Sequence, residues 1–398
     1  MNKYNDLMIY IHIPFCISKC RYCDFLSFVH DDDCKRAYIE ALLNEIRIES
    51  KKYAGDVVSS IFIGGGTPSS IAPEHIKMIM DTVNESFTLA DEGAECTIEC
   101  NPGTVSSDGL LMYQESGINR ISFGLQSTDD AMLKKLGRIH SYKDFGMSLE
   151  MAMKAGFSNI NVDVMLGLPG QEINDAKNDI KRVCECGVTH ISAYSLIIEE
   201  GTPFFDLYNG TRKIPKDMML PNEDAEREIY HMCQGVLAEH GYRQYEISNF
   251  ARQGFECRHN VGYWLRRNYV GFGLGAASLY AERRWNNTSN IKMYIDIWQK
   301  DDLLKDDSIG KCRENAEVID VSDQMEETMF LGLRLVSGVE KTGFKKTFGK
   351  DIYEIYQYRI HTEKMIKDGL LIDDGNYIKL TQRGLDLANT VMAGYIID

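Results

Sequence analysis

Long apolar runs are missing from this chain. No stretch of about eighteen consecutive apolar residues is present to cross a bilayer, so a water-soluble protein is the expectation. The opening MNKYNDLMIY lacks the basic patch, apolar core and small-residue cleavage site of a secretion signal, which makes the cytoplasm the expected location. Surplus positive charge is missing too. With 44 Lys and Arg against 59 Asp and Glu, the formal charge is -15. Phosphate neutralisation needs excess cations, so no nucleic acid partner is expected and an anionic ligand must find a local basic pocket. An even cysteine count is also absent. The 11 cysteines are scattered after the first three, which argues against a disulfide framework. What remains is an ordinary globular mixture, 44% hydrophobic and 26% charged, in a chain of 398 residues that can bury a large core.

Short β-branched runs alternate with amphipathic stretches: MIYIHIPF, VSSIFIGGG, ECTIECNPG, RISFGLQS, NINVDVMLG and HISAYSLI. Each is apolar enough for burial on both faces, and stretches such as CKRAYIEALLNEIRIES carry helical periodicity. Such βα units imply an α/β fold with a parallel sheet, and six strands favour an open partial (β/α)6 TIM-like barrel over a closed one. Functional loops of such sheets gather at the carboxyl ends of the strands. RQYEISNFA reads as one further strand, and CRHNVGYWLRRNYVGFGLGAASLYAERRW as a poor helix and an irregular strand. The charged QKDDLLKDDSIGK reads as a linker or exposed turn. After it, a helix in EETMFLGLRLVSG, a hairpin in GLLIDDGNYIKLT and a last helix capped by Thr381 suggest a small winged-helix-like α+β unit. The expected division is 1–250, 251–310 and 311–398.

Cys16, Cys20 and Cys23 have the spacing C-x3-C-x2-C. A structural zinc site would need a fourth ligand, with His12 and Cys34 as the candidates, and neither has a finger-like spacing. Three thiolates on a compact loop suit a 4Fe-4S cluster whose fourth iron has no protein ligand. The loop resembles that of the radical S-adenosylmethionine (SAM) proteins, in which the amino and carboxylate groups of SAM chelate the open iron. That resemblance implies that Tyr22 packs on the adenine and that GGGTP approaches the methionine moiety, where a side chain at Gly65 or Gly66 would clash.

The strings YIHIPFC, GGGTPS, ECNP, GLQS, DVMLGLPGQ, YEISNFA, CRHNVGYW and LGLRL together resemble the oxygen-independent coproporphyrinogen III oxidase-like family over nearly the whole chain. The resemblance implies that Tyr10, Gly65, Gly66, Thr67, Glu99, Gln126, Arg138 and Asp163 line the SAM site. The oxidases carry a fourth cysteine two positions after the third, where Phe25 stands here. His259, Asn260, Tyr263 and Trp264 instead look like the heme-binding motif of the heme chaperone branch. By that likeness the protein binds heme and passes it to apo-hemoproteins such as respiratory cytochromes, with a homodimer among the states to be considered.

The motif has a physical rationale. His259 offers an imidazole to heme iron, Tyr263 and Trp264 offer flat apolar faces, and Arg258, Arg266, Arg267, Arg283 and Arg284 against Glu282 make the region locally basic. Cys257 is an alternative thiolate ligand. Relatives commonly have His at the position of Ala277, so any role of a second imidazole is lost. Two rivals stand beside the chaperone reading: a radical SAM enzyme acting on a porphyrinogen or transferring a methyl group, and an iron-sulfur regulator using the C-terminal unit on DNA.

Overall fold

The computed structural model describes residues 6–211, 213–300 and 308–397. Most of the stretch read as a linker, residues 301–307, lies outside the described residues. The six expected strands form as β1 (Asp6–Ile13), β2 (Val57–Gly65), β4 (Glu95–Cys100), β5 (Arg120–Gln126), β6 (Asn159–Leu166) and β7 (His190–Ser195), with a two-residue β3 (Thr88–Leu89) beside β2. All six pair in parallel in chain order. Their inner cores are apolar on both faces because helices cover one side and the barrel interior lies on the other. Local signals start the helices. Asp31 accepts the Cys34 amide at the head of Asp32–Glu49, and Ser141 and Asp144 form a capping box on Tyr142–Lys154.

The stretch RQYEISNFA is two short strands, β8 (Arg243–Gln244) and β9 (Asn249–Ala251), antiparallel to each other. Glu246 breaks the run: its carboxylate accepts the Ser248 amide at 2.8 Å and the Asn249 side chain at 2.6 Å, which folds the chain back. The segment expected as a poor helix and an irregular strand is more ordered than its composition suggests. It forms the helix Arg258–Trp264, then β10 (Tyr269–Phe272), β11 (Ala277–Tyr280) and β12 (Arg283–Asn287), followed by β13 (Arg313–Val318). β10 lies parallel to β1 on the side away from β2, so the sheet continues past residue 250. The order is β13-β12-β11-β10-β1-β2-β4-β5-β6-β7-β9-β8, an open partial barrel with antiparallel strands at both ends.

A second core, from Met329 to Tyr395, holds the C-terminal unit around a three-stranded sheet of β14 (Val339–Glu340), β15 (Leu371–Asp373) and β16 (Tyr377–Leu380). Thr381 caps the segment after the hairpin, accepting the Gly384 amide at 2.8 Å, but the helix there is broken into Gln382–Asp386 and Ala388–Ala393. Among the described residues no helix is long and apolar enough to cross a membrane.

Candidate functional site

One cavity at the carboxyl ends of the strands is lined by Cys16, Cys20, Tyr22 and Cys23, by Gly65, Gly66, Thr67 and Glu99, and by Gln126, Arg138 and Asp163. Eleven of the residues predicted for the cluster and SAM sites are thus brought together. Tyr10 is outside this lining; its hydroxyl meets His12 Nδ1 at 3.0 Å and its ring stacks on Phe62. The cysteine loop leaves β1 and is tied down by the Cys16 amide to Phe28 O at 2.9 Å and the Arg21 amide to Leu136 O at 3.0 Å. That second anchor is the end of the helix Asp130–Leu136. Gly137 stops the helix at a φ of 80°, a left-handed conformation that favours glycine, and so turns Arg138 into the cavity.

Arg138 donates to Cys20 Sγ at 3.4 Å, to Asn101 Oδ1 at 2.6 Å and to the Gly124 carbonyl. Thr67 Oγ1 donates to Cys16 Sγ at 3.5 Å and receives Asn101 Nδ2 at 2.8 Å. Gln126 has a φ of 75°, uncommon for a residue with a side chain, at a register shift in β5, and its Oε1 receives the Tyr194 hydroxyl at 3.0 Å. Asn101, Ser122 and Tyr194 also line the cavity and were not singled out from the sequence. Asn101 was legible as the polar residue inside ECNP; Tyr194 sits in an apolar strand and carried no signal.

The glycines act differently from the expectation. A Cβ at Gly66 would come 2.7 Å from Phe15 O, and one at Gly65 would come 2.5 Å from the His12 ring, so both are required by the protein's own packing. Gly66→Ala is therefore expected to destabilise the protein by about 1–3 kcal/mol, the usual range for overpacking. The check is a thermal melt of the cluster-free protein, in which an unchanged midpoint would contradict this reading.

Burial, then Asp163, pushes the Glu99 carboxyl up to about 8, opposed by the Gly65 amide that its Oε2 accepts at 3.1 Å. Burial also raises Asp163. Cys23 is raised by burial and by the neighbouring Cys20 and Cys16 sulfurs. A cavity holding two carboxyls short of positive charge, three adjacent sulfurs and a buried Arg138 Nε without a partner fits a cationic ligand that also presents a carboxylate. Both His12 nitrogens are engaged, by Tyr10 and by Leu26 O, and Cys34 sits in the first turn of the helix Asp32–Glu49, so neither completes a tetrahedron with the three thiols. Among the described residues no three His, Cys, Asp or Glu side chains converge as a single ion would need.

The heme-motif residues lie at the opposite, amino-terminal end of the strands, on the helix Arg258–Trp264. Its amino end is capped from β4: Glu95 accepts the Arg258 and His259 amides, each at 3.1 Å, and the Cys257 thiol at 3.5 Å. Burial pushes Cys257 up to about 12, so it is a neutral thiol donor rather than a ready thiolate. His259 points into the barrel, with Nδ1 2.9 Å from Ser60 Oγ and Nε2 3.1 Å from Tyr263 Oη. Burial, then Arg120, lowers it to about 3, so the imidazole is neutral. Trp264 lies on the other side, lining a separate cavity of about 790 Å³ with Val261, Leu265 and Arg266. The motif is thereby split between two faces of one helix.

The arginines are not a free basic patch. Arg266 pairs with Glu282 and Glu327, each at 2.6 Å, Arg267 with Asp6 at 3.1 Å, and Arg284 with Glu317 and Glu327.

The Radical SAM superfamily matches residues 10–183, and the HemN C-terminal domain matches residues 319–387. Heme chaperone HemW of Bacillus subtilis is 35% identical over 97% of this chain and 98% of its own; that of Lactococcus lactis is 34% identical over 98% and 97%. The chain belongs to the HemW family of radical SAM proteins. The solved structure of coproporphyrinogen III oxidase (HemN) from Escherichia coli, 22% identical, has the same fold, with a TM-score of 0.81 covering 99% of this chain and 90% of that one. Superfamily membership implies a 4Fe-4S cluster and SAM. Cys16, Cys20 and Cys23 would hold the cluster, with Glu99, Gln126, Arg138 and Asp163 around SAM. When bound, the cluster supplies one-electron redox chemistry beside SAM. In this HemW-family chain Arg138 and Thr67 donate hydrogen bonds to two of the thiols, and Glu99 and Asp163 would supply negative charge once a cationic ligand favours their ionised forms.

Proposed function

We propose that this protein is a cytoplasmic heme chaperone that binds heme and transfers it to apo-hemoproteins, respiratory cytochromes among them. In this reading residues 1–250 carry the cluster and SAM, 251–310 the heme motif, and 311–398 an accessory unit. A homodimer is compatible with it. The observation that carries the reading is the helix Arg258–Trp264, which bears a neutral imidazole on one face and an indole on the wall of a large apolar cavity on the other. The full-length likeness to proteins named heme chaperones supports it. His259 is the proposed iron ligand. To bind iron it must give up its contact with Tyr263 or Ser60, so ligation entails local rearrangement at the amino-terminal end of the barrel.

Burial holds the free His259 imidazole neutral down to about pH 3, so no proton has to leave it before it meets iron, whereas a free exposed histidine begins to protonate as pH falls below about 6.5. Heme ligation through His259 is therefore expected to stay constant between about pH 5 and 8. A heme titration followed in the Soret band, with His259→Ala alongside, tests both points. The wild type should show an imidazole-ligated spectrum that is flat in pH, and the variant should lose it. An identical spectrum in the variant would remove His259 from the site.

A further inference from the structure

A line of hydrogen bonds runs down the inside of the barrel from the SAM cavity to the helix Arg258–Trp264. Asp163, on the cavity wall, accepts Asn161 Nδ2 at 2.7 Å. Asn161 Oδ1 receives His190 Nδ1 at 2.6 Å, and His190 Nε2 meets the Tyr245 hydroxyl at 2.9 Å. That hydroxyl oxygen in turn accepts the Cys257 amide at 3.3 Å, directly before the helix. We propose that Asn161, His190 and Tyr245 are positioning residues that couple the two ends of the barrel, so that a cation bound beside Asp163 tightens the first turn of the helix Arg258–Trp264. The proposal rests on the SAM site and does not require heme.

The sense of each bond is fixed by its neighbours. Asn161 gives its second N–H to Ser122 Oγ at 2.8 Å, so its Oδ1 is left to accept. His190 is fully buried; burial, then the Arg120 guanidinium, keeps it neutral, with a single N–H. That proton sits on Nδ1 facing Asn161, which leaves Nε2 to accept the Tyr245 hydroxyl and the Tyr245 oxygen to accept the Cys257 amide. Every donor in the chain therefore points toward Asp163, and such a chain strengthens along its length when its last acceptor gains charge. No proton has to move. A cationic ligand favours the Asp163 carboxylate over its neutral form and so polarises the chain as far as the Cys257 amide. Glu95 holds the next two amides, those of Arg258 and His259, together with the Cys257 thiol, so the far end of the chain meets the cap of the helix. Coupling of this kind is reciprocal: cutting the chain must weaken the cation by the factor that its binding would have tightened the helix.

The test is amide hydrogen exchange over residues 255–264 of the full, cluster-loaded protein, with and without saturating SAM, beside calorimetry with SAM. The proteins are wild type, Tyr245→Phe, His190→Leu and Cys257→Ala, with melting curves to report folding. Tyr245→Phe deletes one oxygen and spares the packing, while His190→Leu cuts the chain at a different link. Cys257→Ala removes a thiol at the same helix end but keeps the amide, so it disturbs the helix without breaking the chain. The expected result is that SAM slows exchange at Cys257 and the amides after it about fivefold in wild type and in Cys257→Ala. Tyr245→Phe and His190→Leu should each bind SAM about fivefold more weakly and, once saturated, show no slowing. SAM bound to wild type with unchanged exchange, a folded cut variant with the wild-type response, or loss of the response in Cys257→Ala would overturn the coupling while leaving the SAM site intact. No SAM binding by wild type would overturn both.

Discussion

Cys16→Ala, Cys20→Ala and Cys23→Ala, each reconstituted anaerobically with iron and sulfide, will lose essentially all of the cluster. The reason is the donor set. A cluster with one open iron needs every one of its three protein sulfurs, and among the described residues no ready thiolate or free imidazole stands in for one. Cys100 lines the same cavity, but burial pushes it up to about 12, so it remains a thiol where a thiolate is needed. Cys34 caps into a helix and His12 has both nitrogens engaged. Cys20→Ala additionally removes an acceptor for Arg138, leaving that guanidinium further short of partners. Iron and sulfide analysis with electron paramagnetic resonance of the reduced protein checks this. A variant that keeps wild-type iron and sulfide, or a wild type that carries a lone tetrahedral zinc, would remove the cluster assignment and the SAM site built on it.

The second expected result has opposite signs in two measurements. Glu99→Gln will make the cluster-free protein more stable at neutral and alkaline pH and will weaken SAM binding. Glu99 titrates near its ordinary value when unfolded and at about 8 when folded. Between those values the folded state keeps a proton that the unfolded chain has released. Stability therefore falls as pH rises through that window, and the full loss is reached above about 8. Gln has no proton to lose and can still accept the Gly65 amide, so the variant removes Glu99's part of the slope, a gain on the order of 4 kcal/mol at pH 8. With SAM the balance reverses, because the ionised carboxylate serves a cationic ligand; losing a charge-assisted hydrogen bond of about 1.5–3 kcal/mol predicts roughly 10- to 100-fold weaker binding. Melts from pH 5 to 9 and calorimetry with SAM on cluster-loaded protein test the pair. A variant that melts lower at pH 8, or binds SAM as tightly as wild type, would contradict this account of Glu99. Such a trade between stability and binding is what a site built from desolvated carboxyls should show.

The sequence by itself determined the parts whose physics is local. The β-branched runs specified six parallel strands, and C-x3-C-x2-C announced a cluster loop at the end of the first of them. The residues at successive strand ends converge because parallel βα units point all their carboxyl ends the same way. Tertiary structure decided the rest, wherever the partner is far along the chain. β10 is only Tyr269–Phe272, too short for a periodic signal, and becomes a strand by lying along β1 more than 200 residues earlier. The arginines around the heme motif look like a basic patch in the sequence, but Asp6, Glu317 and Glu327 neutralise three of them from distant segments. HNVGYW reads as one motif; helical geometry turns His259 and Tyr263, four residues apart, toward the barrel and Trp264 toward the C-terminal unit. Spacing along a chain shows which residues share a helix face, but only the packed neighbours determine what each face meets.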